Sequence, residues 1–360
     1  MRKLASIRRI NELLPIEGAD LIVTAVIDGW TVVVKKDEFQ VGDHCVYFEI
    51  DSFLPDGNPL WQHLVDKSSR TFEGVKGHRL KTITLRKQLS QGFVIPVPRE
   101  LEIDWSHTFL NFEGARPLRE GDDVTDILNI KKWEAVIPTE LAGQVNGNFP
   151  SFIKKTDQER CQNIGTEIFV DNCSSKYEIT MKMDGTSFTG FHVDGEEGVC
   201  SRNWELKIDA ANEGNSLVRM YVDSGLQLAL RGLGLNYAVQ GELMGPGIQG
   251  NREGLKAHRL FVFDIYDIDG GCYLTPDARH RVMDELWAVG MSRQMVEHAP
   301  VIKRNVTLSS LGITTVAQLL AFAEGPSYLH PIREGFVFKR EDGGFSFKAI
   351  SNKFLLKEKD

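Results

Sequence analysis

The residues best suited to chemistry form the short segment 182–187, which reads KMDGTS. The residues before it alternate as in a β-strand, so Lys182 points away from the apolar face near the end of that strand. An amine followed two residues later by a carboxylate and then by a glycine suits a nucleophile that faces a nucleotide phosphate. Asp184 can then serve a metal ion or a ribose, and Gly185 lets the backbone approach the ligand closely. Taken alone, these residues fit an ordinary surface turn between two strands better.

Three other charged residues lie in stretches that otherwise read as buried strands: Glu242, Glu334 and Lys348. A charge flanked by apolar residues is costly to bury unless it is paired or bound to a ligand. Any one of them alone is most simply a structural ion pair. Together with Lys182 and Asp184, they indicate one polar site to which several strands contribute.

The composition is that of a globular protein, and 360 residues are enough for two domains. The formal net charge of −8 argues against a generally basic surface, so contact with nucleic acid must be local. The five cysteines are widely spaced without a CxxC pair, which favours reduced thiols over disulfides or a zinc site. No secretory signal is evident, and no apolar run approaches the ~20 residues that cross a bilayer. We therefore expect an intracellular, cytoplasmic protein without a membrane partner, and a nuclear location stays open.

The first third of the chain reads as short strands separated by turns, at 21–26, 30–35, 44–50, 80–84 and 92–97. Asp28 and Gly29 form a tight hairpin signal between two of them. Five short strands with a longer excursion fit a Greek-key barrel of the OB type, although an SH3-like barrel gives much the same pattern. The segment 104–132 reads as the crossing between domains. We predict an OB-like domain with its connecting segment over residues 1–130.

One basic segment in this domain is a candidate for binding nucleic acid. Residues 76–87 contain no acidic side chain and carry five lysines and arginines: Lys76, Arg79, Lys81, Arg86 and Lys87. On a strand, Arg79 and Lys81 share one face, which gives a positive stripe able to follow a phosphate backbone. A solvated edge strand protected by charge fits the same residues equally well.

Residues 131–360 are predicted to form an α+β domain in which strands outnumber helices. Thr156 and Glu159 make a capping box for a short helix at 157–163, and Thr275 with Pro276 opens another at 277–289. Further helices are expected at 215–231 and 315–322. Strands are expected at 178–183, 187–193, 198–202, 238–243, 260–268, 335–340 and 345–350.

The order of these motifs resembles that of the covalent nucleotidyltransferases, the superfamily of polynucleotide ligases and mRNA capping enzymes. Residues 182–187 look like the KxDG nucleophile motif of that superfamily. Five further segments resemble its later motifs in the same order: SRN at 201–203, GELMGPGIQ at 241–249, FVFDIY at 261–266, EGFVFK at 334–339 and FKAI at 347–350. The last motif often carries a second lysine where Ile350 stands, and whether Lys353 replaces it stays open.

The resemblance implies that Lys182 attacks the α-phosphorus of ATP and that Lys348 contacts the same phosphate. Asp184, Glu242 and Glu334 are assigned to holding Mg²⁺ or Mn²⁺, through its water shell because Mg²⁺ dehydrates reluctantly. Without a metal ion these carboxylates should raise the pKa of the lysine.

Further contacts with the nucleotide follow from the same resemblance. Arg202 is expected at the ribose, with Gly185 close to the ligand, and Arg160 at the phosphates or a second metal. Either Phe261 or Phe263 could stack on the base, and Phe263 is preferred because it directly precedes Asp264.

The order of domains points to one branch of the superfamily. A barrel in front of the ligase domain, with the sequence TDQER at 156–160 ahead of the lysine, looks like the RNA ligase 5 family. That resemblance implies an ATP-dependent RNA ligase that seals 3′-hydroxyl and 5′-phosphate ends, at nicks in duplexes, through a lysyl-N-AMP intermediate. We expect the protein to be a monomer. A DNA ligase and a capping guanylyltransferase are the alternatives. A non-catalytic nucleic-acid binding protein is a weaker one, since it predicts a broken KxDG motif.

Overall fold

The computed structural model of the protein describes residues 3–98, 118–133 and 143–357. The chain divides into two compact units, residues 1–134 with 356–360 and residues 135–355. Most of the predicted connecting segment, residues 104–117, lies outside the described residues. None of the helices that the structure describes has the length and apolar character needed to span a membrane.

Short antiparallel strands make up most of the first unit. Its strands are β1 (Ala5–Arg9), β2 (Glu12–Pro15), β3 (Ile22–Ile27), β4 (Trp30–Lys35), β5 (His44–Phe48), β6 (Ser52–Pro55), β7 (Arg70–Phe72), β8 (Val75–Arg79), β9 (Thr82–Leu85), β10 (Gln88–Gln91), β11 (Phe93–Pro96) and β12 (Lys131–Lys132). Helix α1 (Gln62–Lys67) lies between β6 and β7. The strands pair in the orders β1-β5-β11, β2-β3-β4, β9-β10 and β12-β6-β8-β7.

Four of the five strands predicted for this unit correspond to β3, β4, β5 and β11. Asp28 and Gly29 join β3 to β4 with positive φ angles of 50° and 85°, as a tight hairpin requires. The single strand predicted at 80–84 is wrong. Leu80 and Lys81 separate β8 from β9, because the buried Leu80 side chain and its backbone contacts with Asp51 and Ser52 tie this point to β6 instead.

The second unit combines two sheets with helices. Its strands are β13 (Val145–Asn148), β14 (Glu159–Arg160), β15 (Tyr177–Lys182), β16 (Thr186–Val193), β17 (Glu196–Cys200), β18 (Trp204–Leu206), β19 (Tyr237–Met244), β20 (Arg259–Asp267), β21 (Cys272–Tyr273), β22 (Val296–His298), β23 (Val301–Val306), β24 (Gly335–Arg340) and β25 (Ser346–Ile350). Its described α-helices are α2 (Ser216–Asp223), α3 (Leu226–Leu233), α4 (Pro276–Ala288) and α5 (Val316–Phe322), and α6 (Asn352–Lys357) begins in this unit.

One sheet, sheet A, has the order β13-β18-β17-β16-β19-β20-β21, with β22 paired to β20. The other, sheet B, has the order β14-β25-β24-β15-β23. Helices α2, α3 and α4 pack their buried apolar side chains on sheet A, in a core that includes Tyr221, Leu230 and Leu286. The mixed helix and strand content agrees with the predicted α+β class.

Two helix predictions are wrong. The segment 157–163 is not a helix, because Glu159 and Arg160 add a short parallel strand to β25, and the Thr156 hydroxyl bonds to Gln240 at 2.6 Å instead of capping. A helix of seven residues is marginal in water, so pairing with an available sheet edge prevails. The predicted helix 215–231 is two helices, since Gly225 between them has a φ of +77°. The helix behind Thr275 and Pro276 is confirmed, with the Thr275 side chain accepting from the Ala278 amide.

The chain passes from sheet B to sheet A at the KMDG segment. Lys182 is the last residue of β15 in sheet B and Thr186 the first of β16 in sheet A, so only the three residues 183–185 separate these two strands. A side chain at Gly185 would collide with the carbonyl oxygen of Leu243 on β19, so only glycine allows this close crossing. The lysine therefore stands where the two sheets meet.

Candidate active site

A cavity of about 290 Å³ opens at this junction. Both sheets contribute to its lining, which includes Lys182, Gly185, Arg202, Glu242, Phe263 and Lys348. The strands thus bring together Lys182 and Lys348, which lie 166 positions apart in the sequence. Thr156, Asp157 and Gln158, which precede β14, also line it, and the sequence assigned them no role in the site.

Lys182 is held by a carboxylate of the neighbouring strand. Its ammonium lies 2.8 Å from each oxygen of Glu334, the residue just before β24. Strand pairing sets this geometry, because Lys182 is opposite Gly335 in the ladder. Gly335 has a φ of +156°, and a side chain there would collide with the carbonyl oxygen of Ala349. The backbone conformation before β24 therefore aims Glu334 at the lysine.

The electrostatic environment keeps the lysine protonated in the free protein. Burial lowers the pKa of Lys182, but the carboxylates of Glu334, Glu242 and Asp184 outweigh burial, and the pKa lies above its ordinary value. This agrees with the effect expected of the carboxylates without a metal ion. A reactive, neutral amine needs additional positive charge nearby.

Glu242 and Asp184 complete an acidic group around the lysine. A Glu242 oxygen accepts a hydrogen bond from the Gly185 amide at 3.1 Å, and burial raises the pKa of this carboxyl to about 7. Asp184 lies 3.7 Å from the guanidinium of Arg252, a contact that the sequence did not predict. Within the described residues, no group of three or more acidic, histidine or cysteine side chains converges enough to bind a metal ion directly. Three carboxylates acting on one lysine still fit Mg²⁺ or Mn²⁺ held through water.

A cationic group also lines the cavity. Asp157 lies 3.6 Å from Lys348 and 3.7 Å from Arg202, so one carboxylate orients both cations. Burial lowers the pKa of Lys348 to about 8. Arg160 is opposite Lys348 in the pairing of β14 with β25 but is not part of the cavity lining. The role of Asp157 was missed because nothing in its local sequence reveals partners 45 and 191 residues away.

The two candidate aromatic residues have different surroundings. The Phe263 ring is half-buried and lines the cavity, whereas Phe261 is buried against Tyr328 with ring centroids 5.5 Å apart. Lys353 lies 3.9 Å from Glu324, is 70% exposed and does not line the cavity. Of these residues, Phe263 is thus at the cavity, and Phe261 and Lys353 are not.

The basic segment of the first unit does not form one continuous stripe. Arg79 pairs with Asp51 at 2.5 Å and lies over the Trp133 ring, and Lys76 lies 3.6 Å from Asp56. Arg86 and Lys87 form the turn between β9 and β10, with positive φ angles. Arg79 and Lys81 line a separate groove of about 670 Å³ within this unit.

Comparison with known proteins identifies both parts of the chain. A family model described as an OB-fold domain matches residues 4–97, and the RNA ligase family model matches residues 175–350. The structure of Naegleria gruberi RNA ligase with PPi matches at 44% identity and a TM-score of 0.78, with 100% of each chain covered. A mutant of that enzyme with AMP and Mn gives 44% identity, a TM-score of 0.78 and 99% of each chain covered. No match is found among curated protein sequences.

An OB-fold domain followed by a ligase domain with a lysine at its sheet junction defines a class of nucleotide-transferring ligases. At 44% identity over the whole length of the N. gruberi enzyme, the chain belongs to the RNA ligase family. The OB prediction for the first unit is confirmed, and the SH3-like alternative is excluded.

Proposed function

We propose that the protein uses ATP to join 3′-hydroxyl and 5′-phosphate ends of RNA at nicks in duplexes, through a lysyl-N-AMP intermediate. The observation that carries the proposal is the contact of Lys182 with Glu334, close enough to Glu242 to feel its charge, in a cavity that Lys348 and Phe263 also line. Structures of N. gruberi RNA ligase hold ATP with Mn, AMP with Mn, or PPi, which supports ATP and a divalent metal as the cofactors here.

In the first step the Lys182 amine attacks the α-phosphorus of ATP. A P–N bond forms, the bond to the β-phosphate oxygen breaks, and pyrophosphate leaves with that electron pair while the amine proton passes to solvent. Bound Mg²⁺ or Mn²⁺, held through water by Asp184, Glu242 and Glu334, supplies positive charge that lowers the pKa of the amine and offsets charge at the phosphate. Lys348 adds a fixed cation at the same phosphate.

The next two steps use the stored adenylate. The RNA 5′-phosphate attacks the phosphorus of lysyl-AMP, breaks the P–N bond and forms an anhydride with AMP, and the lysine regains its proton. The 3′-hydroxyl then attacks the RNA phosphate, loses its proton and expels AMP. Each step displaces a group at phosphorus, so the protein contributes mainly positioning and electrostatic stabilisation.

Nucleotide and substrate panels separate this proposal from its alternatives. Incubation with α-labelled ATP or GTP tests the base, because a capping-type guanylyltransferase takes its label from GTP. Nicked duplexes with RNA or DNA on either side of the break test the strand, because a DNA ligase seals an all-DNA nick. We expect label from ATP and sealing of nicks with RNA ends. Label from GTP alone, or sealing of DNA nicks alone, would replace the proposal with the corresponding alternative.

We also propose that RNA contacts the groove of the OB-fold domain. Helix α1 and strands β4, β9 and β11 line it with exposed apolar residues such as Ile83 and Leu85. Its charged lining has one carboxylate, Glu38, and five cations: Lys35, Lys67, Arg70, Arg79 and Lys81. Such a local positive surface on a chain of net charge −8 suits a nucleic-acid backbone.

Reversing charge in the groove should weaken sealing without affecting adenylation. Lys67→Glu and Lys81→Glu are expected to raise the KM for a nicked RNA duplex and to leave labelling by α-labelled ATP unchanged, because phosphate contacts set affinity for the strand. Lys87→Glu, at the exposed β9–β10 turn outside the groove, is the matched control. An equal rise in KM for all three variants would show that RNA binds to the charged surface in general and not to the groove. An unchanged KM in the two groove variants would show that RNA does not contact the groove.

The pKa of Lys348 gives a test that requires no catalysis. Because burial lowers this pKa to about 8, the amine is largely neutral in the free protein above that pH, and a bound polyphosphate should restore its proton. Affinity for pyrophosphate should therefore fall as pH rises through 8, and binding at pH 8.5 should take up more protons than binding to Lys348→Met. Calorimetry in buffers of different ionisation enthalpy measures this uptake. Equal uptake by both proteins would contradict the assignment of Lys348 to the phosphates.

The cellular setting and assembly state are also proposals. All five cysteines are free thiols in the structure, which fits the reducing intracellular environment that we propose. We propose a monomer, since the residues assigned to the active site all come from one unit of one chain.

A further inference from the structure

The ring proposed to stack on the base belongs to a β-bulge. Strand β19 pairs Gln240 with Asp264, and its next residue, Gly241, pairs with Val262. Phe263 is therefore an extra residue between two rungs of the ladder. A bulge re-aims the side chain of its extra residue and takes that residue out of the regular pairing. The orientation of the Phe263 ring thus depends on whatever holds its backbone.

Two buried cations hold the Phe263 carbonyl oxygen. Arg279 of helix α4 donates to it from Nη1 at 3.0 Å, and Lys339 of strand β24 donates to it as well. Lys339 also pairs with Asp264 and lies 5.7 Å from the centre of the Phe263 ring. Burial lowers the pKa of Lys339 to about 8. The planar guanidinium of Arg279 presents separate N–H donors on Nη1 and Nη2, so it can hold the Phe263 carbonyl and a second acceptor at once.

Arg279 is itself anchored to the strand that carries the nucleophile. Its side chain is 1% exposed and pairs through Nη2 with Glu178, which is fully buried on β15 four residues before Lys182. Glu178 also accepts from His280 at 2.8 Å and pairs with Arg304 at 3.3 Å. Although burial raises its pKa, the His280 and Arg279 contacts hold the pKa of Glu178 at about 2. The carboxylate is thus ionised, and Arg279 bridges sheet B to the bulge in sheet A.

We propose that Arg279 is a positioning residue for nucleotide binding, which fixes the Phe263 ring against the base and ties it to the strand of Lys182. Arg279 does not itself line the cavity, so it acts only through the Phe263 backbone. A buried ion pair adds little net stability over well-packed apolar residues, so a positioning role explains its presence better than stability does. The inference rests on the proposed function, in which Phe263 stacks on adenine.

The test compares two ligands that share phosphates but differ in the base. ATP and inorganic tripolyphosphate are titrated by calorimetry into the full chain carrying Lys182→Ala, so that no adenylate forms. In this background Arg279→Lys retains a cation, but its single nitrogen replaces the two that contact the Phe263 carbonyl and Glu178 separately. We expect the Kd for ATP to rise about tenfold, the size of one weakened base stack. The Kd for tripolyphosphate should not change, which also shows that the site is folded.

Four further variants make the outcome decisive. Phe263→Leu should also weaken binding of ATP but not of tripolyphosphate. The double variant with Arg279→Lys should bind ATP no more weakly than Phe263→Leu alone, because both changes remove the same stacking interaction. Glu178→Gln weakens the ion pair that anchors Arg279 but keeps Arg279 itself, so it should cause a smaller loss of ATP affinity and no loss of tripolyphosphate affinity. It replaces Arg279→Lys in the test if Arg279→Lys does not fold. His44→Gln, in the other unit, is the neutral control.

These results distinguish failure of the Arg279 inference from failure of the proposed function on which it rests. If Phe263→Leu binds both ligands as before, base stacking by Phe263 is wrong, whereas the ligase proposal itself stands or falls on adenylation of Lys182. Suppose instead that Phe263→Leu weakens binding of ATP alone. Arg279 then has no positioning role if Arg279→Lys weakens binding of both ligands equally or of neither, or if its effect adds fully to that of Phe263→Leu. A loss of ATP affinity alone in Arg279→Lys, which does not add to that of Phe263→Leu, supports the positioning role.

Discussion

Replacing Lys182 with alanine is expected to abolish labelling of the protein by α-labelled ATP. Lys182 is the amine that lies between Glu334 and Glu242 at the cavity, and no other described lysine there has both carboxylates beside it. Without the amine the P–N bond cannot form, so the loss should be complete, in contrast to the partial loss that follows removal of a supporting charge. Gel electrophoresis of the labelled protein in the presence of Mn²⁺ measures it.

Two controls make this result specific. Lys353→Ala, at an exposed lysine paired with Glu324 outside the cavity, should be labelled as well as the parent protein. A nick that already carries AMP on its 5′-phosphate no longer needs Lys182 as nucleophile, so Lys182→Ala should still seal it if the site is intact. Label that persists in Lys182→Ala would show that another residue is the nucleophile.

Replacing Lys348 with alanine is expected to slow adenylation about 10²–10³-fold, the loss typical of one preorganised electrostatic donor. Lys348 lies on β25 with its amine in the cavity, oriented by Asp157 at 3.6 Å. As charge develops on the α-phosphate, removing this fixed cation raises the barrier without removing the nucleophile. The single-turnover rate of labelling at saturating ATP isolates this step.

Lys353→Ala is again the matched control, because it lies three residues beyond the end of β25 and points to Glu324. Lys348→Arg should recover part of the rate, since it keeps the charge but changes the reach. A fall of less than tenfold in Lys348→Ala would show that the final motif is misassigned. A large fall in Lys353→Ala would show that Lys353 supplies the missing second lysine after all.

The parts of the fold that follow local rules could be predicted from the sequence. The Asp28-Gly29 hairpin and the helix behind Thr275 depend on neighbouring residues only, and both form as predicted. The charged residues Glu242, Glu334 and Lys348 stood out because they interrupt apolar strands. The structure brings all three to the surroundings of Lys182.

The features that were missed depend on partners far away in the chain. Glu159 and Arg160 form a strand and not part of a helix because β25, nearly 190 residues later, offers its edge to them. The contacts of Asp157 with Lys348 and of Arg279 with Glu178 likewise join residues 191 and 101 positions apart. Arg79 was expected to face a phosphate backbone, but Asp51 also pairs with it. Local sequence patterns contain no information on such pairings.

The most direct test of the central claim is to locate the adenylate on the protein. After incubation with ATP and Mn²⁺, peptide mass spectrometry should find AMP on the peptide that contains Lys182, joined by an acid-labile P–N bond. Addition of a nicked RNA duplex should then discharge the AMP and seal the strand. AMP on any other residue, or sealing by a protein that never carries AMP, would contradict the account.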